Sequence, residues 1–321
     1  MSTPTSAPQT PGTPGSPGTS GSPQASRASA DDFQRNRRSP WLQFRRSGWR
    51  HIVAWLIIIY ALFPILYVVS ASLSSEGTLT GSNQLFQSIG PENYQNLLTD
   101  EQHPYMKWFI NSMVVSSVTA IGTVLMGAAA AYAFSRYRFK ARRPGLIALL
   151  IIQMFPQLLA FVAIFLLLFS IKSVYPWLGL NSLPGLILIY LGGSLGSNTF
   201  LMFGFFNTVP TEIDKAAYID GATHSQVYWR IILPLITPSL VVVGMLAFVA
   251  SFSDFLMAQI VLQDPDKWTL AVGLYQFVAV QFGENWGVFT AGAVIAAAPV
   301  VLLFIVLQRY IVSGISGAVK G

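Results

Sequence analysis

The chain has 321 residues, 53% of them hydrophobic and 10% charged, with a mean hydropathy of +0.53. Domains that face water usually carry about 25% charged residues, so an ordinary water-soluble protein is excluded. With no cysteine, and only His51, His103 and His224 far apart in sequence, disulfides, a Cys nucleophile and thiolate- or imidazole-rich metal sites drop out as well.

Residues 1–30 are almost entirely Ser, Thr, Pro, Gly, Ala and Gln. Such a segment buries too little apolar surface to offset the entropy of ordering, so residues 1–34 read as a disordered tail. A basic flank follows over 35–50, with Arg35, Arg37, Arg38, Arg45, Arg46 and Arg50. The apolar run behind it is too long for a signal peptide and lacks a small-x-small cleavage site, so it reads as an anchor. A net charge of +6 does not imply nucleic acid here. The basic residues sit beside apolar runs, where anionic lipid headgroups are the natural counter-charge.

A bilayer core about 30 Å thick needs about 20 apolar residues in a helix. Six segments of the 51–321 membrane domain qualify: His51–Leu73, Asn111–Phe134, Gly145–Phe169, Pro184–Phe206, Thr237–Leu262 and Val288–Gln308. Backbone groups in lipid must be satisfied within the segment, so the expected fold is all-α with six transmembrane helices. With the N-terminus inside, sixteen of the nineteen Lys and Arg residues fall in inside segments. Only Lys107, Lys172 and Lys267 are left outside. That bias predicts cytoplasmic N- and C-termini. Pro64, Pro156 and Pro299 inside spans are expected to bend their helices.

The inside segment 208–235 is too regular for a plain connector. Thr208 or Thr211 is placed to cap a helix, and Pro210 with Glu212 and Asp214 suits a first turn. Ile213, Ala216, Ala217 and Asp220 recur at helical spacing before Gly221 breaks the run. Thr223 is placed to cap a second short helix ending before Pro234. The product is a helix–Gly–helix elbow with small alanines on one face. From these residues alone it is either a close-approach surface or an amphipathic connector lying on the membrane.

Lys215-Ala216-Ala217, three residues, Gly221, nine residues, then Ile231-Ile232-Leu233-Pro234 resembles the signature of ABC-importer permeases. Lys215 stands where that family usually has Glu, with Glu212 and Asp214 just upstream. The resemblance implies a type I importer permease fold. It also implies a coupling helix seated on a cytoplasmic ATPase, formed by Glu212, Asp214, Lys215, Ala216, Ala217, Asp220, Gly221, Ile231, Leu233 and Pro234. The stretches Ala131–Arg136, Met154–Pro156, Gly179–Asn181, Tyr190–Gly193 and Thr269–Gly273 are similar to the sugar branch, in particular the second permease of maltose-type systems. The glycine-rich end, with Gly317 and Lys320, is similar too and implies a C-terminal ATPase contact. The partners so implied are a second permease, a pair of ATPase subunits and an extracytoplasmic sugar-binding protein, with membrane lipids around them.

Asp254 is the one acid inside a predicted span. It either marks a polar path through the membrane or sits near a helix end, bonded to Ser251 or Ser253. Gly192 and Gly196 make a small-xxx-small packing pattern. Trp268, Tyr275, Phe277 and Phe282, in the outer segment from Gln263 to Trp286, form either an interfacial belt or a surface reaching toward a binding protein. No G-x-x-x-x-G-K-[ST] occurs, so ATP hydrolysis is expected on a partner. Without a nucleophile–base or metal cluster the chain is not expected to be an enzyme or to need a cofactor. A self-sufficient secondary transporter is the alternative; that class often shows internal repeats and several intramembrane polar groups, against one acid and no repeat here.

Overall fold

The computed structural model describes residues 40–75, 85–86, 88–279 and 285–318. The tail at 1–34, the start of the basic flank, Phe282 and Lys320 lie outside the described residues. Every regular element among those described is helical. The chain divides into two units, one ending at Phe63 and the other beginning at Pro64.

The first unit holds most of helix α1 (Pro40–Ser72). Its apolar side chains, among them Ile52, Trp55, Leu56, Ile57 and Tyr60, are exposed. From Ile52 onward the helix is apolar on every face, the composition of a membrane span.

The second unit contains α2 (Glu92–Thr99), α3 (Tyr105–Arg136), α4 (Arg142–Gln153), α5 (Gln157–Val174) and α6 (Leu183–Thr208). These are followed by α7 (Thr211–Ile219), α8 (His224–Ser253), α9 (Leu256–Val261), α10 (Leu270–Ala279) and α11 (Trp286–Ala318). Helix α3 is the centre: it packs along α6 and α8, and α8 in turn packs on α11. Small residues on α3 make the approach close. A Cβ on Gly127 would lie 3.1 Å from the Met202 sulfur of α6.

Among the described residues, five helices are long and apolar enough to cross a membrane: Gly48–Ser72, Tyr105–Arg136, Leu183–Thr208, His224–Ser253 and Trp286–Tyr310. The third predicted span, Gly145–Phe169, differs from expectation. It is broken into α4 and α5 across Met154–Pro156. Pro156 has no N–H to give the Ile152 carbonyl, which takes the Phe155 N–H instead at 3.2 Å. The expected bend is thus an interruption. The fifth span also ends early, at Ser253 rather than Leu262, and α9 is a separate helix.

Three cores can be distinguished among the described residues. Ala128, Ala131, Tyr132, Met202, Phe206, Ala217, Val227 and Ile232 close the end that carries the elbow. Tyr105, Trp108, Phe252, Leu270 and Phe277 close the opposite end. Val115, Leu168, Leu186, Ala258 and Leu262 fill a third cluster. Trp268 and Phe277 belong to these cores, ringed around Trp108. They are therefore packing residues and not a belt, while Tyr275 stays half exposed against Phe255.

Candidate functional site

The elbow begins where α6 ends. Pro210 is the N-cap of α7, and no side chain caps the helix. The expected threonine caps are not formed: Thr208 donates back to the Phe205 carbonyl, and Thr211 bonds Glu212. Proline fixes the entry conformation, and Glu212 and Asp214 supply negative charge to the first turn.

The C-terminal end of α7 is a Schellman closure. Ala222 N–H reaches the Ala217 carbonyl at 2.9 Å and Gly221 N–H reaches that of Tyr218 at 3.1 Å. This closure needs a left-handed residue at the position after the cap, and Gly221 has φ +83°. Thr223 then starts α8 with a capping box: its hydroxyl accepts from Gln226 N–H, and the Gln226 side chain accepts from Thr223 N–H. The two arms are joined again by a 2.8 Å hydrogen bond between His224 Nδ1 and the Tyr218 hydroxyl.

The second arm does not stop before Pro234. It passes through a π turn at Val227–Ile232 and continues as the long helix α8. In the wider turn Leu233 N–H bonds the Tyr228 carbonyl, five residues back, so the helix carries through the proline, which has no N–H of its own.

The elbow is braced from beneath. Arg136, the last residue of α3, places Nε 2.6 Å from Asp214 Oδ2, and both side chains are over 90% buried. Its Nη2 donates to the Val209 carbonyl at 2.8 Å. Burial pushes the Asp214 carboxyl above its usual range, with Arg136 pulling it down and Glu212 pushing it up. Tyr132, one turn back on α3, packs its ring against Tyr228 and Phe206.

This arrangement sorts the residues singled out from the sequence. Glu212, Lys215, Ala216, Asp220 and Gly221 are exposed, with Lys215 and Glu212 in a loose 4.0 Å pair. Asp214 and Ala217 face inward, which corrects the expectation that Ala216 and Ala217 share an outer face. Ala217 is 7% exposed and belongs to the chain's own core. Residues 216 and 217 are about 100° apart on a helix, so one alanine faces out and the other in. Ile231 and Leu233 are half buried on the same core, and Pro234 is exposed. The outward tip is Ile219, 86% exposed, a residue the spacing pattern does not single out.

Residues 123–317 match the family described as binding-protein-dependent transport system inner membrane component. The chain belongs to this family. Among its relatives is the galactooligosaccharides transport system permease protein GanQ of Bacillus subtilis, 35% identical over 272 residues, covering 84% of this chain and 94% of that protein. The maltose/maltodextrin transport system permease protein MalG of Escherichia coli K12 is 36% identical over 282 residues, covering 84% and 95%. A crystal structure of a bacterial ABC transporter involved in import of the acidic polysaccharide alginate shares the fold. Its TM-score is 0.70 at 22% identity, over 84% of this chain and 97% of that one.

In this inner membrane component Asp254 follows the last residue of α8. Its Oδ1 accepts from the Tyr190 hydroxyl at 2.9 Å and from the N–H groups of Met257 and Ala258, starting α9. Of the two serines expected as partners, Ser251 instead bonds the carbonyls of its own helix. Gly196 is buried against Gln153, whereas Gly192 faces open space, so only one of the pair packs. Gly317 lies in the last turns of α11. Arg136, whose role in bracing the elbow sequence reading missed, had one usable signal: a cation ending a span and a carboxylate in the next inside segment.

Proposed function

We propose that the chain is one of two permease subunits of an ATP-driven importer that moves a carbohydrate across the cytoplasmic membrane. Six spans with both termini in the cytoplasm are the topology of this reading, with α4 and α5 together forming the third. Maltodextrin or a related oligosaccharide is the proposed cargo, in line with what GanQ and MalG are named for. The ATPase pair, the second permease and the extracytoplasmic sugar-binding protein are separate chains.

The observation that carries this reading is the rigid elbow. Its exposed tip at Ile219 is fixed by the Gly221 closure, the Thr223 box and the Arg136–Asp214 brace. A push on that tip reaches two membrane helices. It reaches α3 through Arg136, and α8 because the second arm is the start of a continuous 30-residue helix, about 45 Å long at 1.5 Å per residue. At the far end of α8 lies Asp254, held to α6 through Tyr190, so a displacement of α8 would be felt at α6.

The test is transport in a strain lacking this gene. Labelled maltodextrin and galactooligosaccharide uptake should return with the intact chain, and the chain should co-isolate with an ATPase whose activity is sugar-stimulated. Uptake that persists when that ATPase is inactivated would overturn the reading in favour of a self-sufficient transporter.

A further inference from the structure

The turn joining α3 to α4 lies at the same end of the molecule as the elbow and forms a cavity of about 520 Å³ lined by Arg138, Phe139, Lys140, Arg142, Arg143 and Pro144. Arg142 is held in place, its Nε donating to the Phe134 carbonyl at 2.6 Å and its Nη2 to that of Ser135. Arg138, Lys140 and Arg143 are exposed, with no ion pair among the described residues. No acidic residue occurs in the sequence between Glu101 and Glu212, and Asp214 is already taken by Arg136. Among the described residues, the positive charge of this cavity therefore has no acidic partner.

Its surroundings name the partner. Helix α4 rises from the cavity, and Ile147, Ile151 and Ile152 on it are exposed, Ile147 about 7 Å along the axis from Arg142 at 1.5 Å per residue. Cationic groups in a pocket one turn from an exposed apolar helix face match the spacing of a phospholipid, with phosphate at the pocket and acyl chain along the helix. An acidic protein surface would satisfy the charge but not the adjoining apolar face. We propose that this turn binds the headgroup of an anionic phospholipid whose acyl chain lies along α4.

The test uses the full chain, isolated with the subunits it carries from the membrane, and a photo-crosslinkable phosphatidylglycerol. The matched phosphatidylcholine probe is the comparison, and labelled peptides are mapped by mass spectrometry. The segment from Arg138 to Ile152 should be labelled at least about tenfold more by phosphatidylglycerol, since each Lys or Arg beside an anionic headgroup favours attachment several-fold. The preference should fall to parity in Arg138→Gln/Lys140→Gln/Arg143→Gln. It should persist in Arg138→Lys/Arg143→Lys and survive excess inorganic phosphate. Equal labelling of the intact chain by both lipids, or a preference that survives in the triple glutamine variant, would overturn the proposal. So would crosslinking of this segment to the ATPase subunit in place of lipid, or competition by inorganic phosphate. These readouts do not depend on sugar uptake, so their failure is distinct from failure of the transport reading.

Discussion

Gly221 has open space around its α-carbon and no freedom in its backbone. A Cβ added there would meet nothing within 4 Å, yet φ is +83°, a conformation that costs a residue with a side chain roughly 1–2 kcal/mol. Gly221→Val should leave the chain in the membrane while greatly lowering uptake and sugar-stimulated ATPase activity, and Gly221→Asn, which tolerates the left-handed region, should be milder. Normal uptake by a well-expressed valine variant would refute a coupling role for the elbow. The need for glycine was legible in the sequence, because helical spacing stops at Asp220 and resumes after Thr223. The brace beneath was not. Arg136 and Asp214 are far apart in sequence, with several helices between them, and no local pattern brings them together. Arg136→Ala strands a buried carboxylate and should destabilise the detergent-purified chain by roughly 3–5 kcal/mol. The paired replacement Arg136→Met with Asp214→Leu should recover much of that in thermal unfolding, because it removes both charges at once.

At the scale of the element, α7 divides its face between its own chain and the outside. Ala217→Trp forces a large ring into the core formed with Val227 and Ile232, and overpacking of this kind costs about 1–3 kcal/mol. Its expected outcome is a lowered unfolding temperature of the isolated chain. Ile219→Asp should leave that temperature unchanged and reduce the ATPase retained per permease. Lys215→Glu, at an exposed position worth less than about 1 kcal/mol, should change little in either measurement. The opposite pattern, with Ile219→Asp retaining the ATPase and Ala217→Trp losing it without loss of stability, would move the contact to the alanine face. Sequence reading located the elbow and its glycine but put both alanines on the outside, where only Ala216 lies. Spacing shows that residues share a helix; which side meets the core depends on Tyr132, Met202 and Phe206, brought in from α3 and α6.

Across the whole molecule, apolar length alone located four spans well, because a run of twenty apolar residues has one dominant solution in lipid. It failed at the third span, where Pro156 cuts the helix, and at the end of the fifth, where Asp254 starts a new one. Hydropathy counts side chains, and both interruptions are decided by main-chain hydrogen bonds. Deleting residues 2–30 while keeping Arg35 to Arg50 should leave insertion and uptake intact, as measured by membrane abundance and labelled-sugar uptake, because that segment has no apolar periodicity and precedes the basic flank proposed to set orientation. The break at Met154–Pro156 has a further consequence for the life of the subunit. An interrupted helix is tolerated at membrane depth only where protein or a water-filled space covers it, yet Met154 and Phe155 are exposed within this chain. A copy synthesised without its companion subunits should be an orphan recognised by membrane proteases. Pulse-chase labelling should give it a several-fold shorter half-life in cells lacking the second permease, and replacing Pro156 with Leu should lengthen it.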